Sequence, residues 1–119
     1  NFYFMSIEEL KLLTDIKTAI LSIDEHLQSK RDFILYKQNK TIRRAVEREL
    51  EIIGEAISRL LKINPAIDIS YARLIVDLRN KVIHAYDNVN DTVIWKVIIK
   101  DIPVLQQEVD ILLSNSKDI

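Results

Sequence analysis

The 119-residue sequence contains no cysteine, one glycine and two prolines. Without cysteine there can be no disulfide, no thiolate nucleophile and no zinc site built on thiolates. With so little glycine and proline, the sequence lacks the turn signals that a protein of many short strands needs. These absences favour an all-α fold, and a chain without cysteine fits a cytoplasmic location.

Long hydrophobic runs are also missing, although apolar residues make up 48% of the sequence. No window approaches the roughly 18 consecutive apolar residues that a membrane span requires, so we expect no membrane partner. The apolar start lacks the basic lead and the cleavage site of a secretory signal. We therefore predict an N-terminal extension at residues 1–5, one helical domain at 6–114 and a polar tail at 115–119.

Apolar residues recur with the 3.6-residue period of an α-helix through most of the chain. Ser6-x-x-Glu9 has the form of a capping box and predicts the start of a first long helix. A short apolar patch after Asp32 predicts one helical turn before the next helix begins. The chain should form a four- to five-helix up-and-down bundle.

The later helix boundaries follow from capping residues and prolines. A helix is predicted over about 41–63, and Asn64-Pro65 should end it. Asp68 or Ser70 should cap the next helix and Asp91 or Thr92 the fourth, which Asp101-Ile102-Pro103 should restart or kink.

Charge is unevenly distributed, although the net charge is only −1. Residues 30–48 hold seven cations and two carboxylates, a local net charge of +5. Nucleic-acid binding by an acidic protein needs such a local basic face. We predict that Lys40, Arg44 and Arg48 bind RNA, and the alternative is an ordinary solvated helix face.

The chain has two histidines, which are the side chains that titrate near neutral pH without a shift. We expect His26 to be an ordinary surface residue. His84 differs, because Arg79, Asn80 and Tyr86 stand close to it in the sequence, near a predicted helix end. Such a set permits RNA cleavage by acid and base groups together with a cation that holds the phosphorane.

Helix geometry restricts how these side chains can meet. At 100° per residue, Arg79 and His84 point about 140° apart, whereas Arg79 and Tyr86 differ by only about 20°. Either the helix unwinds before His84, or two copies of the chain share one cleft, and we favour the dimer. Pattern alone also allows His84 and Tyr86 to cap a helix end while Arg79 pairs with Asp77.

The segment Arg79-Asn80-Lys81-Val82-Ile83-His84-Ala85-Tyr86 resembles the R-x4-6-H motif of the HEPN superfamily, in the R-N-x3-H-x-Y version of the HepT-like toxins. Further similarity lies at residues 50–56, at Asn64-Pro65, at 93–95 and at 101–103. The resemblance implies a HEPN-like homodimer with a ribonuclease site between protomers. Arg79 and His84 would be catalytic, with Asn80 as the polar residue beside the arginine.

The resemblance also implies a partner, a nucleotidyltransferase (MNT-type) antitoxin that transfers AMP to Tyr86 and silences the toxin. A phosphodiester on Tyr86 would occupy the anion site beside Arg79. No cofactor is implied. The sequence departs from the usual pattern at Ala85, where glycine is common, and at Ile69-Ser70, where tryptophan is frequent.

Other interpretations of the sequence remain open. The same cleft could belong to a non-catalytic module that binds a nucleotide or docks the nucleotidyltransferase, or to a structural dimer that has lost activity. Glu51 and Glu55 lie one helical turn apart but lack further ligands at suitable spacing, so we predict no metal site and favour helix–helix hydrogen bonds for them.

Overall fold

The structure, a computed structural model, describes residues 5–70, 72, 75–78 and 90–117. All regular elements within these residues are helical, which confirms the predicted all-α class. Residue 72 and residues 75–78 are helical as well. The α-helices are α1 (Ile7–His26), α2 (Phe33–Gln38), α3 (Lys40–Ile63), α4 (Asp91–Lys96) and α5 (Ile102–Lys117), and a π-helical turn (Val97–Asp101) joins the last two.

Helix α1 begins at the predicted capping box. The Ser6 hydroxyl accepts the Glu9 backbone N–H at 3.1 Å, and the Glu9 carboxylate accepts the Ser6 backbone N–H at 3.3 Å. Two N–H groups that the first helical turn would leave unpaired are thereby satisfied. The predicted apolar stripe is confirmed, with these members buried: Leu13, Ile16, Ile20, Ile23 and Leu27.

The connection from α1 to α2 turns without a glycine. Gln28 and Ser29 adopt left-handed φ angles of 54° and 57°, which are costly for residues with a Cβ atom. The Ser29 hydroxyl donates to Asp24 at 2.9 Å, and Arg31 donates to the same carboxylate at 2.9 Å. These bonds, that of Ser29 first, hold the pKa of Asp24 below its ordinary value. They also fix the strained turn.

The predicted helical turn after Asp32 is confirmed as α2, which Asp32 caps. Tyr36 is buried, and its ring stacks on Trp95 of α4 with centroids 5.2 Å apart. Phe33 approaches the same indole at 5.9 Å. Trp95 thus joins α2 to α4 and packs against the core.

Helix α3 packs along α1. Its apolar stripe is confirmed, with five members at 1% exposure or less: Val46, Leu50, Ile53, Ile57 and Leu60. Gly54 is buried within this helix. His26, expected to be an ordinary surface residue, has a 34% exposed side chain, and its Nε2 lies 2.9 Å from the Glu49 carboxylate of α3. The histidine faces α3 at the end of α1.

The predicted break after α3 is confirmed, since Asn64 ends the helix and residues 65 and 66 form a turn. The start of α4 differs from prediction. Asn90, not Asp91 or Thr92, is the N-cap, and its side chain accepts the N–H groups of Thr92 and Val93. Asparagine and aspartate are about equally good N-cap residues. Because they stand next to each other here, the local pattern did not show which of them caps the helix.

The predicted restart or kink near Pro103 takes the form of the π-helical turn. Proline has no N–H and crowds the carbonyl four residues before it, so a regular helix is disfavoured there. The Ile102 N–H bonds to the Val97 carbonyl, the wider spacing of a π-helix. Helix α5 then runs to Lys117, so residues 115–117 of the predicted tail are helical.

The core lies between α1, α3 and α5, and α5 packs on α1. Leu105 and Val109 of α5 are fully buried. Within the part of the chain that the structure describes, no helix is long and apolar enough to cross a membrane.

Candidate functional site

The four motif residues fall in a part of the chain that the structure leaves undescribed. Arg79, Asn80, His84 and Tyr86 lie outside the described residues, so their predicted roles stay predictions. The structure does describe both flanks of the motif, at residues 75–78 and from Asn90 onward. The flanks, and the helices that contact them, define the surroundings of the candidate site.

The flank before the motif is anchored in two ways. Ile75 and Leu78 are buried at 1% and 6% exposure, which fixes one face of the helical residues 75–78 to the core. Ahead of them, the Ser70 hydroxyl donates to Glu108 of α5 at 2.8 Å. The Ser70 backbone N–H donates to both oxygens of the same carboxylate, at 3.1 and 3.0 Å. The Glu108 carboxylate on α5 thus accepts hydrogen bonds from both the hydroxyl and the backbone N–H of Ser70.

The flank after the motif meets the first turns of α3. Asp91 is the first residue of α4, and its carboxylate lies 3.5 Å from the Arg43 guanidinium. Both side chains are only 22% exposed, so solvent screens this pair less than a surface pair. The basic stretch of residues 30–48 therefore contacts the second flank of the motif, through Arg43 and Asp91.

Tyr36 and Glu47 lie near Arg43 and Asp91, and the pKa of each is shifted. Burial raises the pKa of the Tyr36 phenol, and the carboxylates of Glu47 and Asp91 act in the same direction. Burial also raises the pKa of Glu47, and the Arg44 guanidinium offsets only part of this effect. The Tyr36 hydroxyl is buried and has no hydrogen-bond partner among the described residues.

The three cations predicted to bind RNA are all exposed on α3. Lys40 is the first residue of the helix. Arg44 donates to both oxygens of Glu47 at 2.9 and 3.0 Å, and Arg48 donates to Glu51 at 3.1 Å. Two of the three cations are thus partly neutralised by carboxylates of their own helix.

Sequence reasoning missed the special position of Arg43. It was counted in the basic stretch but not singled out, because nothing in the local pattern distinguishes it from Arg44. The two differ in exposure, since the Arg43 side chain is 22% exposed and that of Arg44 is 50%. Its lower exposure and its contact with Asp91, 48 residues away, set Arg43 apart.

The paired carboxylates of α3 have arginine partners on their own helix. Glu51 accepts from Arg48, and Glu55 accepts from Arg59 at 3.0 Å. Among the described residues, no three histidine, aspartate or glutamate side chains are grouped as metal ligands would be.

Comparison with known proteins identifies the family. The family model "Ribonuclease HepT-like" matches residues 16–112, a span that includes both flanks and the motif between them. A protein named as a candidate RNase in Caldanaerobacter subterraneus is 36% identical over 72% of this chain and 75% of its own. Another in Methanocaldococcus jannaschii is 39% identical over 68% of this chain and 75% of its own.

A third relative carries the family name itself. The probable ribonuclease HepT of Thermococcus cleftensis is 37% identical over 79% of this chain and 86% of its own length. No solved structure gives a significant match to the chain.

These matches and the helical fold define an all-α protein of a ribonuclease class. The chain belongs to the HepT-like ribonuclease family. The predicted family and enzyme class are thereby confirmed.

Proposed function

We propose that the chain is a metal-independent endoribonuclease toxin that cleaves RNA with His84 and Arg79. The observation that carries this proposal is the family match over residues 16–112, because that span contains the complete R-N-x3-H-x-Y pattern.

The reaction uses side chains of types that suit RNA cleavage without a metal ion. A base takes the proton of the ribose 2′-hydroxyl, the 2′-oxygen bonds to phosphorus, and the bond from phosphorus to the 5′-oxygen breaks. An acid protonates the departing 5′-oxygen. His84 acts as the base or the acid, Arg79 stabilises the negative phosphorane, and Asn80 orients the arginine or the phosphate.

We place this site between two protomers of a homodimer. On a regular helix Arg79 and His84 point about 140° apart, too far for one phosphate to meet both. A second copy of the chain brings a second Arg79 and His84 to the same cleft. The resemblance of residues 79–86 to the HEPN motif, which implies a site between protomers, is the other support for this arrangement.

Regulation in this proposal depends on Tyr86. A partner nucleotidyltransferase, the antitoxin, transfers AMP from ATP to the tyrosine oxygen, which loses its proton as pyrophosphate leaves. The added phosphodiester fills the anion site that RNA needs. Chain co-expressed with that partner should gain the mass of adenylyl groups, and Tyr86→Phe should not. An unmodified wild-type chain, co-expressed with an active partner, would contradict this part of the proposal.

The test of the activity compares the two histidines of the chain. His84→Ala should lower the rate of RNA cleavage by about a hundredfold or more, because it removes a proton-transfer group. His26→Ala is the matched control, since His26 contacts Glu49 on α3 and has no place in the reaction. It should keep the wild-type rate.

Two results would overturn the proposal. Cleavage that survives in His84→Ala would show that another group does the chemistry. A purified, unmodified chain that binds ATP yet never degrades RNA would instead favour a nucleotide-binding module. Activity is measured on a labelled single-stranded RNA, with a chelator present to test for independence from metal ions.

A further inference from the structure

The seven cations of residues 30–48 differ in their partners according to residue type. Each of the four arginines pairs with a carboxylate: Arg31 with Asp24, Arg43 with Asp91, Arg44 with Glu47 and Arg48 with Glu51. The lysines of the stretch, Lys30, Lys37 and Lys40, are exposed and have no carboxylate partner among the described residues. The positive charge that is left uncompensated in this stretch therefore lies on the three lysines.

These lysines lie at a cavity between α2, the turn before it and the first residues of α3. Lys30 lines the cavity, and Lys37 and Lys40 directly follow two other lining residues, Tyr36 and Asn39. The cavity has a volume of about 210 Å³. Sites for drug-sized ligands have roughly 300–1,000 Å³, so this cavity has room for one ring system rather than for a whole nucleotide.

The walls of the cavity combine apolar and amide groups. Leu27, Leu35 and Ile42 provide apolar surface, and Gln28 and Asn39 provide side-chain amides. The Asn39 Oδ1 atom accepts the Ile42 backbone N–H at 3.0 Å, which leaves the amide nitrogen of Asn39 to donate to a ligand. Proteins hold an unstacked nucleobase between apolar or aromatic side chains and bind its edge with hydrogen bonds. The walls therefore suit a base.

One carboxylate, that of Asp32, also lines the cavity. Its Oδ1 atom accepts the backbone N–H groups of Ile34 and Leu35, at 3.0 and 3.2 Å, and so caps α2. Asp32 thus has a structural task at the start of that helix. With Lys30 on the same wall and two further lysines beside the cavity, cations outnumber this carboxylate, and the surroundings favour an anionic ligand.

From these features we infer that the cavity is a subsite for single-stranded RNA. It holds one unstacked base, and Lys30, Lys37 and Lys40 bind the phosphates on either side of that base. The inference rests on the proposed function, because RNA is the ligand that it names, and it adds an RNA contact outside residues 79–86.

An acidic peptide with one large apolar side chain is the rival occupant, since it would match the lysines and the apolar walls. RNA is favoured because of the two amides. The edge of a base can pair with the N–H groups of Gln28 and Asn39, whereas an apolar side chain would leave them without a partner at a cost.

The first experiment removes the lysines. Lys30→Gln and Lys37→Gln are combined in a His84→Ala chain, which slows cleavage, and RNA binding is measured by fluorescence anisotropy over a range of salt concentrations. The salt slope of log Kd should fall by about 0.7 for each phosphate that is no longer neutralised, about 1.4 for both lysines.

Lys62→Gln combined with Lys100→Gln is the matched control. It removes the same charge from two exposed lysines that also lack a carboxylate partner among the described residues. It should leave the salt slope at the wild-type value. Equal changes in the two pairs of variants would overturn the inference, because net charge alone would then govern binding.

The second experiment changes one wall of the cavity. Leu35 and Ile34 are neighbours on α2 and are 49% and 65% exposed, so serine at either position should preserve the fold. Of the two, Leu35 lines the cavity. Leu35→Ser should weaken RNA binding by about fivefold with the salt slope unchanged, because it loses apolar contact with the base but no phosphate contact. Ile34→Ser should keep the wild-type Kd, and equal losses would overturn the assignment.

The third experiment tests whether the cavity binds a base. Gln28→Gly removes the amide, and glycine suits the left-handed φ of 54° at this position, so the turn should be preserved. The wild type should bind a single-stranded RNA about tenfold more tightly than the same sugar–phosphate strand without bases. Gln28→Gly should lower this ratio by about fivefold. An unchanged ratio would overturn the base subsite.

A glutamate-rich peptide with one leucine tests the rival occupant. If it binds as tightly as RNA and loses its affinity in Leu35→Ser, the occupant is an acidic partner and the inference is wrong. Failure of the subsite is also distinguishable from failure of the proposed function. A chain that binds RNA through the cavity yet never cuts it would refute the ribonuclease, and a chain that cuts RNA but whose binding is unaffected by all the cavity variants would refute only the subsite.

Discussion

Glu47 shows that a carboxylate can have an arginine partner on its own helix and still lose more from burial than it gains from that partner. Its side chain is 8% exposed, and both carboxylate oxygens accept from Arg44 one turn away. Burial nevertheless raises its pKa, so loss of solvation exceeds what the arginine returns. A surface pair such as Arg48 with Glu51 does not face this balance, because both groups remain nearer to water.

The raised pKa predicts a pH dependence of stability with a definite sign. Above the unfolded-state value of about 4.5, the folded protein holds the Glu47 proton longer than the unfolded chain does. The free energy of unfolding should therefore fall as pH rises from 4.5 through the folded pKa. Glu47→Gln stays uncharged and should flatten this fall, as measured by urea unfolding across that range. An unchanged slope in the variant would contradict the assignment.

At the scale of elements, the long helices were predictable and their junctions less so. Helices α1 and α3 carry a cap and an unbroken apolar stripe, and local chemistry alone decides such segments. The junctions depend on contacts that the apolar period and the capping residues do not reveal. Gln28 and Ser29 turn the chain in a left-handed conformation without glycine, held by bonds to Asp24, and no local signal marks that.

Helix α3 also carries a prediction about RNA. Its cations Lys40, Arg44 and Arg48 are exposed and lie on the helix whose first turns reach the motif flank through Arg43. Replacing them together with alanine should weaken RNA binding. The salt slope of log Kd should fall by about 0.7 for each RNA phosphate that the variant no longer neutralises.

Arg59→Ala provides the control on the same helix, because Arg59 is an exposed arginine in a similar pair with its own helix. It should leave the salt slope at the wild-type value. Equal changes in the two variants would show that general charge, rather than a track along the first turns of α3, governs RNA binding. Fluorescence anisotropy with labelled RNA over a range of salt concentrations measures both.

At the scale of the whole molecule, the sequence predicted the fold class and the family, and it predicted the motif only as a pattern. Composition and the 3.6-residue apolar period were enough to predict an all-α bundle, because that period recurs through most of the chain. The contacts of Glu108 and Arg43 needed the structure. Their partners lie 38 and 48 residues away, and no property of either residue in its own helix indicates that contact.

The proposed shared site makes a prediction for mixed dimers. Arg79→Ala and His84→Ala should each be inactive alone. When the two are mixed and allowed to exchange subunits, some dimers contain one intact Arg79 and one intact His84 on different chains, and cleavage should return. If each protomer holds a complete site, the mixture should stay as inactive as its parts. Size-exclusion chromatography of the mixture checks that dimers are present.

The contact between Ser70 and Glu108 has a consequence for how the protein is made. Glu108 is added to the growing chain 38 residues after Ser70, and it belongs to a helix whose core residues must fold before the carboxylate is in place. The motif has by then already been synthesised. During synthesis, the hydroxyl and backbone N–H of Ser70 therefore lack the carboxylate that accepts them until α5 has been made and has packed on the core.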